Sequence, residues 1–180
     1  GVRFRLPAEM EQVTYFGRGP EENYCDRNNG TLVGEYQATA EQMYFPYVRP
    51  QENGHHTDTR WLMLKKKNGK GLAVYADGTL EFNSLRNSIE DFDGEEAVQR
   101  DYQWNNRDAE ELKHDVSTAK NIKPRQTHIN DITPRDFVEV CLDMRQMGVG
   151  GFDSWGAVPD PQYLIPANKE YQWGFTIVPM

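Results

Sequence analysis

Three short segments punctuated by Asn-Gly and Asp-Gly constrain this chain more than any other feature. Trp61 to Lys67 runs into Asn68-Gly69, Lys70 to Ala76 runs into Asp77-Gly78, and Thr79 to Leu85 follows. Asn-Gly and Asp-Gly readily take the positive φ angles of tight hairpin turns, so the sequence predicts three strands pairing antiparallel in a meander. Within them Leu72 and Val74 alternate with Ala73 and Tyr75, and Leu80 and Phe82 alternate with Glu81 and Asn83. That period of two is the signature of a strand with one face on a core.

The same alternation recurs at Val2, Phe4 and Leu6, at Val138, Val140 and Leu142, and at Trp173, Phe175 and Ile177, which places strands at both ends of the chain. Only Arg107 to His114 offers a helix, barely two turns long. Many short strands must each bury one face against a second layer, so the expected fold is all-β, a large antiparallel β-sandwich. The 180 residues are long enough to close one core and are read as a single domain, 1–180. Two polar connections, Gly17 to Gly30 and Tyr47 to Thr57, are long enough to be functional loops.

Charge narrows the partners. A net charge of −8 argues against a nucleic-acid surface, and the one basic cluster, Lys65-Lys66-Lys67, reads as the solvated end of a strand. No apolar run is long enough to span a bilayer and no leader follows Gly1, so a soluble chain is expected, read as a piece of a longer protein or a processed product. Cys25 and Cys141 match no metal spacing and are expected as free thiols. The acidic stretch Glu90 to Glu96 lacks the full spacing of a calcium loop and is expected to lie in water. His55 and His56 are neighbours, so on a strand they point to opposite faces and do not share an ion. His128 reads as a strand-edge residue rather than a ligand. No metal site and no catalytic pair emerges from spacing alone.

Met147-Gly148-Val149-Gly150-Gly151-Phe152-Asp153-Ser154-Trp155-Gly156 sets one indole at the tip of a glycine-loosened segment. Such a ring is either a core plug or an exposed platform, and the average burial of tryptophan favours the plug. Asp153 beside Ser154 reads as a turn-capping carboxylate, because adjacent residues do not place a base on a hydroxyl.

Three stretches together resemble the C-terminal, small-chain domain of glycoside hydrolase family 2 β-galactosidases. They are Tyr15-Phe16-Gly17-Arg18-Gly19-Pro20-Glu21-Glu22-Asn23-Tyr24 with Asp26-Arg27, then Met43 to Gly54 with Thr59-Arg60, and Met147 to Trp155, while His114 sits where that family often carries a histidine. The resemblance implies a supersandwich similar to that of galactose mutarotases. It implies that residues 1–180 are the C-terminal part of a larger enzyme whose acid/base and nucleophilic glutamates lie in a separate barrel, so this chain holds no catalytic residue and is expected to be inactive alone. It gives Trp155 the substrate-binding role, at the mouth of the sugar site. Asp153, Ser154, Glu52, Asn53, Arg60 and His114 are candidates for loop or site support, with loop bracing at least as good a reading for Glu52, Asn53, Arg60 and His114. Phe152 departs from the acidic or small residue that many relatives carry.

The resemblance further implies Mg and Na ions in the full enzyme, mainly outside this chain, and no cofactor within it. The implied partners are a β-galactoside, the barrel and other domains, and further copies of the enzyme, in a bacterial-type cytoplasm or periplasm. Two alternatives stay open: a free-standing carbohydrate-binding module, and the small subunit of a two-chain β-galactosidase. A mutarotase-like epimerase would need a paired base and acid, for which no convincing spacing is found.

Overall fold

The computed structural model describes residues 1–93, 129–153 and 156–180. The helix expected over Arg107 to His114 and the strand edge at His128 lie outside them. The chain divides into two compact units, one of Gly1–Phe45, Asn53–Asn87 and Pro134–Met180, the other of Pro46–Glu52 and Ser88–Thr133.

The first unit is all-β and antiparallel, in agreement with the β-sandwich class. Its strands are β1 (Val2–Pro7), β2 (Gln12–Gly19), β3 (Leu32–Thr39), β4 (His56–Lys65), β5 (Gly71–Leu85), β6 (Phe137–Asp143) and β7 (Phe175–Pro179). They form one sheet in the order β1-β6-β5-β4-β2-β3, with β7 also pairing β5. The alternation in the sequence becomes rows across the sheet. Val13 faces Leu64, Tyr15 faces Leu62, Leu62 faces Val74, and Phe82 joins His56 to Leu142. These side chains are fully or almost fully buried. Burying each of the large apolar ones is worth roughly 1.5–3 kcal/mol against exposure, so the row is the main source of cohesion across four strands, β2, β4, β5 and β6.

The meander is corrected at one turn. Asn68-Gly69 does close a hairpin: Gly69 donates its N–H to the Lys66 carbonyl at 2.9 Å and takes φ 85°, and Lys65 pairs with Gly71. Asp77-Gly78 does not. Residues 71 to 85 are one strand, and both halves pair with β4, Trp61 with Tyr75 and Thr59 with Leu80. Ala76 to Thr79 bulge out between those two pairs, with Gly78 at φ 97°, a value that only glycine takes freely. The bulge wins over the turn because each half of β5 also has its own partner on the other side. Residues 72–76 pair with β7 and residues 81–85 pair with β6. The alternation survives: Val74, Leu80 and Phe82 are all at most 1% exposed.

On the opposite face of the β1–β6 pair, Glu139 is buried and receives Arg3 and Arg5, with nitrogen to oxygen distances of 2.9 and 2.8 Å. In the second unit a short helix, α1 (Ile89–Asp93), begins with Asp91 accepting the Ser88 N–H at 2.9 Å. The acidic stretch is therefore not simply solvated: Asp91 is buried as part of a helix cap, and its residues from Gly94 on lie outside the described ones.

His56 sits inside the core, stacked on Phe82 at 5.3 Å and 4.8 Å from the Tyr15 ring, with its Nδ1 3.1 Å from the Arg18 carbonyl. Burial pushes its pKa down to about 4 from 6.5. Between those values the unfolded chain binds a proton that the folded chain refuses, so acidification draws the equilibrium towards unfolding. Over that window the loss should reach roughly 3 kcal/mol. Denaturant titrations from pH 7 to 4 should show this fall in the native chain and a shallower one in His56→Asn; parallel pH profiles would remove His56 from the account.

Candidate functional site

Within the first unit, buried polar side chains join the first stretch to Asn53 to Thr57 at the end of the second, and to the described part of the third. Asn23 is fully buried and uses both ends of its amide. Its Oδ1 accepts the Thr57 N–H at 3.0 Å and the Thr57 hydroxyl at 2.6 Å, while its Nδ2 donates to the carbonyls of Arg18 at 3.1 Å and Glu21 at 3.0 Å. Its own N–H donates to the His55 carbonyl at 2.7 Å. Beside it Glu22 accepts the Gly54 N–H at 2.6 Å and pairs with Arg27 at 2.9 Å. The Arg27 guanidinium lies 5.0 Å from the centre of the Tyr24 ring, which stacks on His55 at 5.3 Å and 16°. The first stretch is thereby fastened to the second.

The third stretch is held by two carboxylates. Glu81, on β5, accepts the Gln146 N–H at 2.6 Å and the His55 Nε2–H at 2.9 Å, and both of its partners lie outside its own strand. Asp26 accepts the Gly150 N–H at 2.8 Å. Hydrogen bonds to an ionised acceptor are about twice as strong as neutral ones, which suits them to pinning a loop. The glycines are needed for closeness. A Cβ on Gly148 would lie 2.5 Å from Asp26 Oδ2 and 2.9 Å from the Tyr163 Cβ, and one on Gly150 would lie 2.5 Å from the Ala157 carbonyl. Gly150 and Gly151 also take φ of 60° and 75°. Gly148 donates to the Tyr163 carbonyl at 2.9 Å and Gly151 to that of Ala157 at 3.1 Å, so the loop folds back on its own continuation.

Two further groups line this junction. Cys25, a free thiol like Cys141, donates to the Gln146 carbonyl at 3.4 Å, and burial pushes its pKa up. Asp143 pairs with Glu81 across the strands, and burial raises its pKa as well. His55 and Glu81 form a buried pair, 0% and 8% exposed, so their bond serves the loop rather than a substrate. The two neighbouring histidines do point to opposite faces, His55 to Glu81 and His56 to Tyr15. Among the described residues no three His, Cys, Asp or Glu side chains gather as metal ligands.

Of the residues selected from sequence, Trp155, Ser154 and His114 lie outside the described ones. Asp153 is exposed and accepts the Ala157 N–H at 3.2 Å, the turn-capping arrangement. Phe152, just before it, is 78% exposed. Asn53 is buried and accepts the Phe45 N–H at 3.2 Å. Arg60 donates to the Asp58 carbonyl, and its guanidinium lies 5.8 Å from the Phe16 ring centre, on β2. Glu52 is half-buried in the second unit. Sequence reasoning did not single out Asn23, Asp26, His55 or Glu81 as supports. The first two lay within the motif that was recognised, whereas Glu81 gave only the signal of an outward strand position.

Comparison with known proteins gives a consistent result. The family model described as Beta galactosidase small chain matches residues 1–177. The beta-galactosidase of Priestia megaterium is 31% identical over 183 residues, covering 100% of this chain and 14% of that protein. The beta-galactosidase of Streptococcus thermophilus is 31% identical over 181 residues, covering 100% and 15%, and that of Vibrio cholerae is 30% identical over 177 residues, covering 98% and 14%. The chain thus spans about one seventh of the length of these relatives.

The loop geometry sets an expectation for two variants. Asp26→Ala should speed hydrogen exchange at the Gly150 amide by about tenfold, the loss of one charge-assisted bond worth about 1.5 kcal/mol. Gly148→Ala should lower stability by about 1–3 kcal/mol through overpacking against Asp26 and Tyr163. Unchanged exchange at Gly150 in Asp26→Ala would show that the carboxylate does not hold the loop.

Proposed function

The chain belongs to the β-galactosidase small-chain family, and on that premise we propose that it is the C-terminal domain of a retaining, family 2 β-galactosidase. In the complete enzyme the reaction is hydrolysis of terminal β-D-galactosides through a covalent glycosyl intermediate. Two carboxyl groups about 5–5.5 Å apart perform it, one as acid/base and one as nucleophile. Both belong to the barrel outside this chain, and so do the Mg and Na ions of the full enzyme, for the most part.

The contribution of this chain is Trp155 and the means of holding it. One face of a galactopyranose carries C–H groups and is apolar, so an indole stacked on it excludes water and orients the ring while polar groups elsewhere fix the hydroxyls. The observation that carries this reading is the double anchorage of the segment leading to Trp155, by Glu81 on Gln146 and by Asp26 on Gly150. An aromatic wall must stand at a fixed place to be useful, and a glycine-rich loop without such anchors would not keep it there. Asp153 caps its turn by accepting the Ala157 N–H, Ser154 is a further candidate for support, Asn53 holds the Phe45 N–H, and Arg60 lies beside Phe16 of β2. Part of the remaining surface packs against the barrel and other domains, or against further copies of the enzyme.

Trp155→Ala in the full-length enzyme should raise KM for an aryl β-galactoside by about tenfold, equivalent to about 1.4 kcal/mol of lost stacking, with little change in melting temperature. Trp155→Phe should recover part of the loss. Unchanged KM and kcat would remove Trp155 from the sugar site. The 180-residue chain alone should not hydrolyse the same substrate, and turnover by it would place a carboxylate pair inside this chain. Tight galactose binding by the chain alone would favour the free-standing module instead.

A further inference from the structure

A cavity lies on the first unit, lined by none of the residues of the glycine loop. It has a volume of about 460 Å³ and is lined by Gln12, Thr14, Gln37, Gln42, Lys65 and Lys67, among others. Strand register explains how these side chains gather: Gln12 pairs with both Thr39 and Lys65, and Thr14 pairs with both Gln37 and Met63. Gln12, Thr14, Gln37 and Lys65 share the sheet face opposite the buried Val13, Leu62 and Leu64 row, and Gln42 and Lys67 join them from the adjoining turns. No carboxylate lines the cavity. Lys66 is neutralised by Glu9 at 2.8 Å, but Lys65 and Lys67 have no ion-pair partner among the described residues. On a chain of net charge −8 this is a local surplus of positive charge inside a concavity.

The rest of the lining is neutral and doubly capable. Glutamine amides and threonine hydroxyls both donate and accept, which matches neighbouring hydroxyl groups on a ligand rather than a bare anion. Along the same face the chemistry turns aromatic. Phe16, two residues beyond Thr14, stacks with Trp61 at 6.3 Å and 23°, and Tyr75, opposite Trp61 in register, is 44% exposed. Ammonium groups and amides in the groove, with rings beyond it on the same sheet face, are complementary to the charged group, the hydroxyls and the C–H face of a sugar.

We propose that this groove is a binding site for an anionic saccharide, one carrying carboxylate or sulfate groups. The proposal does not depend on Trp155. Long-range attraction to Lys65 and Lys67 makes binding salt-dependent, while the amides and rings give it preference for a saccharide. The site is open to polymers, since the face continues past the groove onto the aromatic strip.

Native affinity electrophoresis of the full-length protein tests it, with polygalacturonate, a sulfated galactan or a neutral galactan cast in the gel. Retardation is expected with at least one acidic polymer, and comparison of the two acidic gels identifies the charged group recognised. The dissociation constant should rise on the order of tenfold in Lys65→Gln/Lys67→Gln and several-fold in Gln37→Ala, at unchanged melting temperature. Lys169→Gln, an exposed lysine far along the chain, should migrate as the native protein does. No retardation in either acidic gel, equal retardation in neutral galactan, undiminished retardation of the double lysine variant, or an equal loss in Lys169→Gln would each overturn the proposal.

Discussion

β5 pairs with β4 along both of its halves and divides its other edge between β7 and β6. One strand therefore serves two neighbourhoods, and the bulge at Ala76 to Thr79 is where it passes from one to the other. Without that continuity, Val74 and Phe82 would not lie on a common buried face, and the row from Val13 to Leu142 would be broken in the middle. Glu81 would also lose its station. It stands just after the bulge, between His55 on one side and Gln146 on the other, because β5 carries it there.

Much of this was legible in the residues. The period of two at Val2–Leu6, Leu72–Phe82 and Val138–Leu142 marks strands that the structure contains, because alternation is a local property; burial follows it in β5 and β6, whereas Val2 in β1 stays exposed. The Asp77-Gly78 turn was misread for the converse reason. Whether a positive-φ glycine ends a strand or bulges it depends on which partners the flanking residues find, and those partners lie more than ten residues away along the chain. β2 and β3 carry a weaker local signal, because Gly17 and Gly19 in the one and Gly34 in the other interrupt the run of strand-forming residues.

The candidate site divides in the same way. The motifs identified the segments that matter, but not what joins them. Asn23, Asp26 and Glu81 act through contacts spanning 34, 124 and 65 positions of sequence, which no local pattern encodes. A buried carboxylate on a strand looks like a solvated one until its partners are known. Asp91 taught the same lesson in miniature, as a helix cap within a run of acids.

The outer edges of the sheet have a practical meaning. Among the described residues β1, which carries the charges of Arg3 and Arg5, pairs only with β6, and two further strands have a single neighbour: β3 pairs only with β2, and β7 only with β5. Both present apolar side chains near an unpaired row of amides and carbonyls: Leu32 and Val33 on one, Ile177 and Val178 on the other. Such edges are templates for another strand, and natural sheets blunt them with charge, proline or a covering element. Neither of these four positions carries a charge. Produced apart from a larger protein, the chain would offer two adhesive borders, so aggregation on expression would reflect uncovered strand edges rather than a failure to fold.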